Sequence, residues 1–313
     1  MSEPVLIAKG ITKTLGQGAG QVMAVRGVDI TLVPGQLTLL MGPSGSGKTT
    51  LLSILGCILT ATSGSITIDG TDIAGLSPEA LAKLRRTHIG YIFQSYNLFP
   101  TLNALENVRI ALDVAGQSGP AAVRKAEQAL RDVGLGHKLK SYPANMSGGE
   151  KQRVAVARAI ASAPSIVLAD EPTAALDSEN GHGVMKLLSE IARTQNRSIL
   201  VVTHDPRTLA YADRVIRIED GLIIGEELTS GTGTKKAKAE VTAAGLAKPP
   251  SETKVAPGRL ILGETTEDQG SRVQSQAPVP LAPTSALLDL APNGRRAKRR
   301  RKNSSKSAGR HRA

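Results

Sequence analysis

Tryptophan is absent from this chain of 313 residues, and only six aromatic side chains are present, four Tyr and two Phe. Cysteine is scarcer still. Cys57 is the only one, so no internal disulfide can form, and a reducing compartment fits. Its neighbours Leu55, Ile58 and Leu59 suggest a buried position on a helix running from Lys48 to Leu59. No apolar run approaches the roughly 20 residues needed to cross a bilayer. The N-terminus shows no basic segment followed by an apolar core, so a secretion signal is not expected. Work at a membrane would then require a partner that holds the chain there.

Charge is also unevenly supplied. Residues 229–313 hold 17 Lys and Arg against 6 Asp and Glu, which is +11 of the formal +12. Residues 1–228 are therefore close to neutral, and the high isoelectric point belongs to the tail. That tail contains no aromatic and is rich in Pro, Ser, Thr, Gly, Ala and Lys. It cannot bury enough apolar surface to offset its ordering entropy, and is expected to be disordered. Its densest cationic cluster, Arg295 to Lys302, reads first as a solvated tail. Beside a membrane it would attract anionic lipid, at roughly 1 kcal/mol per charge. It would also bind nucleic acid without sequence preference.

The first 228 residues are rich in Val, Ile, Leu and Ala and long enough for a full core. Residues 5–11 and 28–33 read as short strands, with a flexible turn at Gly16 to Gly20 between them. Leu37 to Met41 is a continuous apolar run of the buried-strand kind. Further strands are expected at Ser65 to Asp69, Ile89 to Phe93, Ile166 to Ala169 and Ile199 to Thr203, with a hairpin about Asp220-Gly221. Helical spacing marks residues 79–86 and 180–194 and dominates from about 101 to 160. The alternation predicts an α/β fold with a largely parallel sheet and a helical insertion in the middle.

Five places carry chemistry. Gly42-Pro43-Ser44-Gly45-Ser46-Gly47-Lys48-Thr49-Thr50 follows an apolar strand and opens a helix, the context a phosphate loop requires. Gly42, Gly45 and Gly47 let backbone amides close around an anion at the positive end of that helix. Lys48 can reach the β- and γ-phosphates and the Thr49 hydroxyl can ligate magnesium. Ile166 to Glu171 is an apolar strand ending in two carboxylates: Asp170 is placed to hold magnesium, and Glu171 to polarise an attacking water. Gln94 and His204 each follow an apolar strand, where a parallel sheet points residues into its ligand crevice. Gln94 could ligate magnesium and orient water, and His204 could contact the γ-phosphate. Lastly, Ser147-Gly148-Gly149-Glu150-Lys151-Gln152 makes a second anion cradle at a helix start, for which the chain's own nucleotide has no obvious use.

Together these residues resemble the nucleotide-binding domain of ATP-binding-cassette transporters over about residues 4–228. Gly42 to Thr50 is similar to the Walker A motif, Gln94 to the Q-loop, and Ser147 to Gln152 to the family signature. Ile166 to Glu171 is similar to Walker B, Ala175-Leu176-Asp177 to the D-loop, and His204 to the switch histidine. The resemblance implies a P-loop core with a mainly parallel sheet, an antiparallel β subdomain, and an inserted helical subdomain at about residues 95–160. It implies ATP and Mg2+ as ligands, with Thr49, Gln94 and Asp170 on the metal and Glu171, His204, Gln94 and Lys48 serving hydrolysis. Two such domains pack head to tail in that family, so that Ser147, Gly148, Gly149, Glu150 and Asp177 face the partner's nucleotide. One Walker A and one signature per chain then make a homodimer the default.

Ile89 to Pro100, followed by Thr101-Leu102 and Glu106-Asn107-Val108, resembles the branch that powers macrolide export, lipoprotein release and a division-associated permease. This implies a separate or fused transmembrane permease, work at the cytoplasmic face of the inner membrane, and peripheral attachment to it. Tyr91, Phe93, Tyr96 and Phe99 are four of the six aromatics. Tyr91 and Phe93 read as strand core, whereas Tyr96 and Phe99 are expected to receive a permease helix. One position departs from the family: 33 residues before Lys48, where an aromatic usually stacks on adenine, stands Leu15. The missing stack is worth about 1 kcal/mol, so weak base discrimination is expected. A rival reading is a soluble cassette ATPase acting on nucleic acid or ribosomes. Neither paired cassettes nor long coiled-coil insertions are present to support it, and no specific nucleic acid is expected.

Overall fold

The computed structural model describes residues 3–229 and the two-residue strand Ala237–Lys238. The expected disordered tail lies otherwise outside the described residues. The chain begins with β1 (Leu6–Leu15), β2 (Val22–Leu32), β3 (Leu37–Met41), α1 (Lys48–Leu55), β4 (Ser63–Ile68) and β5 (Thr71–Asp72). It continues with α2 (Pro78–His88), β6 (Ile89–Ile92), α3 (Ala104–Val114), α4 (Gly119–Asp132) and α5 (Gly148–Ile160). Last come β7 (Ile166–Asp170), α6 (Ser178–Thr194), β8 (Ser198–Thr203), β9 (Arg214–Glu219), β10 (Leu222–Leu228) and β11 (Ala237–Lys238).

Two sheets form. One is antiparallel, in the order β2-β1-β4-β5; the other runs β11-β10-β9-β3-β8-β7-β6. In the larger sheet β9, β3, β8, β7 and β6 are parallel to their neighbours, while β10 and β11 add on antiparallel. Strands β3 and β8 are buried at every residue, which explains why they are apolar but for Thr38, Ser198 and Thr203: both faces of a parallel sheet are covered. Alternate residues serve the two sides. Leu39, Val167 and Val201 share a core with α6 and the helices α3 to α5. Leu40, Leu168 and Leu200 pack instead with α1 and the antiparallel sheet. Each such Leu contributes about 1.5–3 kcal/mol by leaving water.

Two expectations need correction. The first hairpin is longer than the apolar runs suggested, because its outer half is held by pairing of mixed residues, such as Thr14 with Met23 and Leu15 with Val22. Helix α1 ends at Leu55, not Leu59. Gly56 caps it, Cys57 turns left-handed (φ 54°), and the amides of Ile58 and Leu59 both donate to Ser53 O at 2.9 and 3.1 Å. Cys57 thus lies beyond the helix and is half-buried. Burial pushes its thiol up, opposed by the Arg85 guanidinium, which donates to Cys57 O at 2.7 Å. The inserted helices form as expected and rest on the large sheet. A Cβ on Gly90 of β6 would lie 2.2 Å from Ala159 O, so the end of α5 packs directly on the large sheet.

Candidate functional site

Strand β3 delivers the chain into the glycine loop at the carboxyl edge of the large sheet. Here glycine is required by contact. A Cβ on Gly42 would lie 2.0 Å from Ile218 O, and one on Gly47 (φ 93°) would lie 2.2 Å from Ala24 O. Gly45 is also left-handed, and with Pro43 and Ser44 it is exposed. Gly47 caps α1 without a side chain, so the first amides of that helix carry no capping partner. Lys48 is buried and curls back over the loop, donating to Gly42 O at 2.8 Å and Pro43 O at 2.7 Å. Ser46 Oγ is buried and has no partner among the described residues. A loop of open amides, one buried ammonium and an orphaned hydroxyl fits a polyphosphate.

Register brings the other motifs to the same edge. Met41 pairs with Thr203, Asp170 with Val202, and Ala169 with Ile92, so the residues after β3, β8, β7 and β6 emerge side by side. Thr49 Oγ1 donates to Asp170 Oδ1 at 3.2 Å. Asp170 is held above the usual carboxylate range, chiefly by burial and secondarily by the neighbouring charge of Glu171, with the Thr49 bond opposing. A hydroxyl and a half-buried carboxylate in contact are a donor set suited to Mg2+. Beside them Glu171 takes a left-handed backbone (φ 46°), its amide donating to Val202 O at 2.9 Å. The turn aims its carboxylate at His204: Oε1 lies 2.7 Å from Nδ1, with Glu171 mostly buried and the imidazole 70% exposed. Gln94 is exposed just past β6. Tyr91, beneath this edge, has its hydroxyl pushed up to about 12 by burial and by Asp170.

The signature residues assemble elsewhere. Ser147 caps α5 in a reciprocal box, its Oγ accepting from the Glu150 amide at 3.2 Å and its amide donating to Glu150 Oε2 at 3.0 Å. Lys138 pairs with Glu150 at 2.6 Å and, with the Ser147 amide, holds that carboxyl below its usual range. The atoms closest to a Cβ on Gly148 belong to Tyr96, Leu176 and Ala175, and those closest to one on Gly149 all belong to Asn180. Asp177 caps α6 by accepting from the Asn180 amide at 2.9 Å. The second anion cradle therefore neighbours the turn before α6, and the phosphate loop supplies none of its nearest atoms.

Comparison with known proteins agrees with this arrangement. Residues 25–174 match the family model described as ABC transporter. The macrolide export ATP-binding/permease protein MacB of Marinobacter nauticus is 41% identical over 238 residues, covering 76% of this chain and 36% of that protein. MacB of Shigella flexneri is 42% identical over 221 residues, covering 71% of this chain and 34% of that protein. The chain thus spans about a third of the length of these relatives. The ATP-binding cassette MJ0796, solved as a dimer bound to ADP and Pi, is 38% identical with a TM-score of 0.66, and its chain is covered in full. The chain belongs to the ATP-binding-cassette family. It is an ATP-binding protein and an ATPase.

Several contacts in this cassette were not legible as motifs. Tyr96 and Asn97 are both left-handed (φ 59° and 49°). Arg158 of α5 holds that turn, Nη2 donating to Tyr96 O at 2.7 Å and Nη1 to Asn97 O. Tyr96 is half-buried, and its Oη reaches Ala175 O at 3.4 Å, beside the signature. Phe99 is 48% exposed. Asn107 explains its own motif: fully buried, it donates to Phe99 O, Leu102 O and Asn103 O and accepts from the Phe99 amide at 2.8 Å. Leu15, 39% exposed, pairs with exposed Val22, and Met23 beside it is exposed too. With Ala24 against Gly47, this cassette sets an apolar patch next to its phosphate loop.

Proposed function

We propose that residues 4–228 form the ATP-hydrolysing motor of a transporter, working as a head-to-tail pair and driving a separate permease with a large extracytoplasmic domain. One observation supports the pairing: the atoms nearest a Cβ on Gly148 or Gly149 belong to Tyr96, Ala175, Leu176 and Asn180, and none to the chain's own phosphate loop. In a second copy this surface meets the γ-phosphate of an ATP held by Lys48 and the loop amides, completing two sites at once. Thr49, Asp170 and Gln94 would hold Mg2+, which supplies charge neutralisation between the phosphates. Glu171 then polarises water, and His204, bonded to Glu171, orients toward the γ-phosphate. The patch of Leu15 and Val22 offers the adenine an apolar platform without a ring.

The likeness to macrolide exporters favours export, or mechanical work on an extracytoplasmic domain, at the cytoplasmic face of the inner membrane. Among the described residues no helix is long and apolar enough to cross a membrane, so attachment would be through the permease. Exposed Phe99, on the loop clamped by Asn107, is the proposed contact. Anionic lipid is the proposed contact of the Arg295 to Lys302 cluster. Light scattering of Glu171→Gln with ATP and Mg2+ tests the pairing: a dimer is expected, and a monomer with ATP bound refutes it. Phe99→Ala tests the docking, and unchanged permease binding and transport would overturn it.

A further inference from the structure

Behind His204, two side-chain bridges join a short turn to the start of α6. Residues Pro206–Tyr211 form a 3₁₀ helix. Arg207 Nη1 donates to Ser178 Oγ at 2.6 Å. Four residues further along each partner, Tyr211 Oη and His182 Nδ1 lie 2.9 Å apart, with ring centroids separated by 5.9 Å. Ser178 and His182 are neighbours on one face of α6. A cavity of about 10 Å³ lies among these groups, room for about one water.

Arg207 also clamps the residue next to His204. Its Nε lies 3.0 Å from both Asp205 carboxylate oxygens, and its amide donates to Asp205 Oδ1 at 2.9 Å. The Asp205 amide in turn donates to Thr203 Oγ1 at 3.0 Å. His204 is therefore held between the end of β8 and a residue fixed by Arg207. The same first turn of α6 is capped by Asp177 and carries Asn180 against Gly149. One helix start thus touches the signature, the D-loop and the switch-histidine turn.

We propose that Arg207 and Tyr211 are positioning residues, which fix His204 against the helix start that also bears Asp177 and supports Gly149. Its consequence rests on the paired-cassette reading: a partner's nucleotide arriving at Gly149 and Asp177 shifts the start of α6, and the bridges carry that shift to His204. Each ATP site is then linked to the other through its own chain.

ATPase kinetics of Arg207→Ala, Ser178→Ala and the double variant test this. Losing a charge-assisted bond corresponds to about a tenfold fall in kcat, with KM for ATP within about twofold because neither residue touches nucleotide. Arg207→Lys should recover part of the rate, and the double variant should be no slower than Arg207→Ala. Tyr211→Phe should lower kcat in the same direction. A kcat for Arg207→Ala within twofold of wild type overturns the proposal, as do single effects that multiply in the double variant. Placed in the Glu171→Gln background, Arg207→Ala should still dimerise with ATP; loss of the dimer would make Arg207 an interface residue and overturn its positioning role. Failure of Glu171→Gln itself to dimerise would refute pairing alone, leaving the kinetic pattern to decide the bridges.

Discussion

Adding one methyl group at Gly149 tests the geometry of the signature directly. A Cβ there would lie 2.2 Å from Asn180 Oδ1, 2.7 Å from its Cγ and 3.1 Å from its Cβ, whereas ordinary contact begins near 3.4 Å. Either α5 and α6 separate by about 1 Å or Asn180 gives way. Giving way breaks its bond from Nδ2 to Asp177 Oδ2 at 2.7 Å, and no rotamer removes its Cβ. Overpacking of this kind costs roughly 1–3 kcal/mol. For a domain of this size each kcal/mol lowers Tm by about 2–4 °C. A displacement near 1 Å at phosphate-facing amides can cost about a hundredfold in rate. Gly149→Ala should therefore lose both Tm, measured without nucleotide, and kcat, measured by phosphate release.

Gly148→Ala is the internal control. Its Cβ would crowd Tyr96 Oη at 3.2 Å and Leu176 Cδ2 at 3.3 Å, both side-chain ends that can yield by a few tenths of an ångström, and would touch Ala175 O at an ordinary 3.8 Å. It should lose less on both measures. Removing the obstacle, as Gly149→Ala with Asn180→Ala, should return part of the lost Tm through non-additivity. The reasoning fails if Gly149→Ala keeps wild-type Tm and kcat, or if Gly148→Ala is the less stable of the two.

Glu150 should give the signature helix a pH-dependent stability. Its carboxyl is held low in the folded state by Lys138 and the Ser147 amide, so the stability it contributes is fully present above its unfolded value near 4.3. That stability is lost as pH falls through the lower folded value. Glu150→Ala should cost about 1 kcal/mol at pH 7, with the gap to wild type closing in the acid range; a gap unchanged from pH 7 to pH 3 contradicts this. Asn107→Ala leaves Leu102 O and the Phe99 amide without these partners, while Phe99 O and Asn103 O keep the amides of Leu102 and Asn107; it should cost roughly 1–3 kcal/mol, seen as a lower urea midpoint, and an unmoved midpoint refutes the clamp. Leu15 should leave GTP an appreciable competitor of ATP, and Leu15→Tyr should sharpen the preference. A hundredfold ATP preference in the wild type would sink that expectation.

The phosphate loop and the carboxylates after β7 were legible because their chemistry is local: glycines, a lysine and two acids stand at fixed offsets from apolar strands. The order of the strands was not local, yet the parallel sheet followed from buried runs alternating with helices. What escaped was polar and distant. Arg158 meets Tyr96 and Asn97 from about sixty residues away, and Arg207 meets Ser178 from 29 away. Both sit on otherwise ordinary segments, where periodicity records burial but not partners. The contact of Tyr96 Oη with Ala175 O spans 79 residues and is invisible to periodicity for the same reason. At Cys57 the signal was available, since a glycine straight after Leu55 reads as a helix stop, but apolar Ile58 and Leu59 outweighed it.

Glu171 and His204 already lie 2.7 Å apart within the single chain, and Thr49 already touches Asp170. Under the proposed roles, one copy already holds the water-polarising pair and the two oxygen donors for Mg2+ in contact. The signature amides, by contrast, have the turn before α6 and Asn180 for neighbours instead of the loop they would have to serve. Under the paired reading, this division makes the rate-limiting arrangement one between copies rather than within them. The start of α6 is where the two halves meet, because it supports Gly149, bears Asp177 and is bridged to the turn behind His204. A motor built this way can keep its water-polarising pair formed and still withhold hydrolysis until a partner closes on it, which is what coupling to a permease requires.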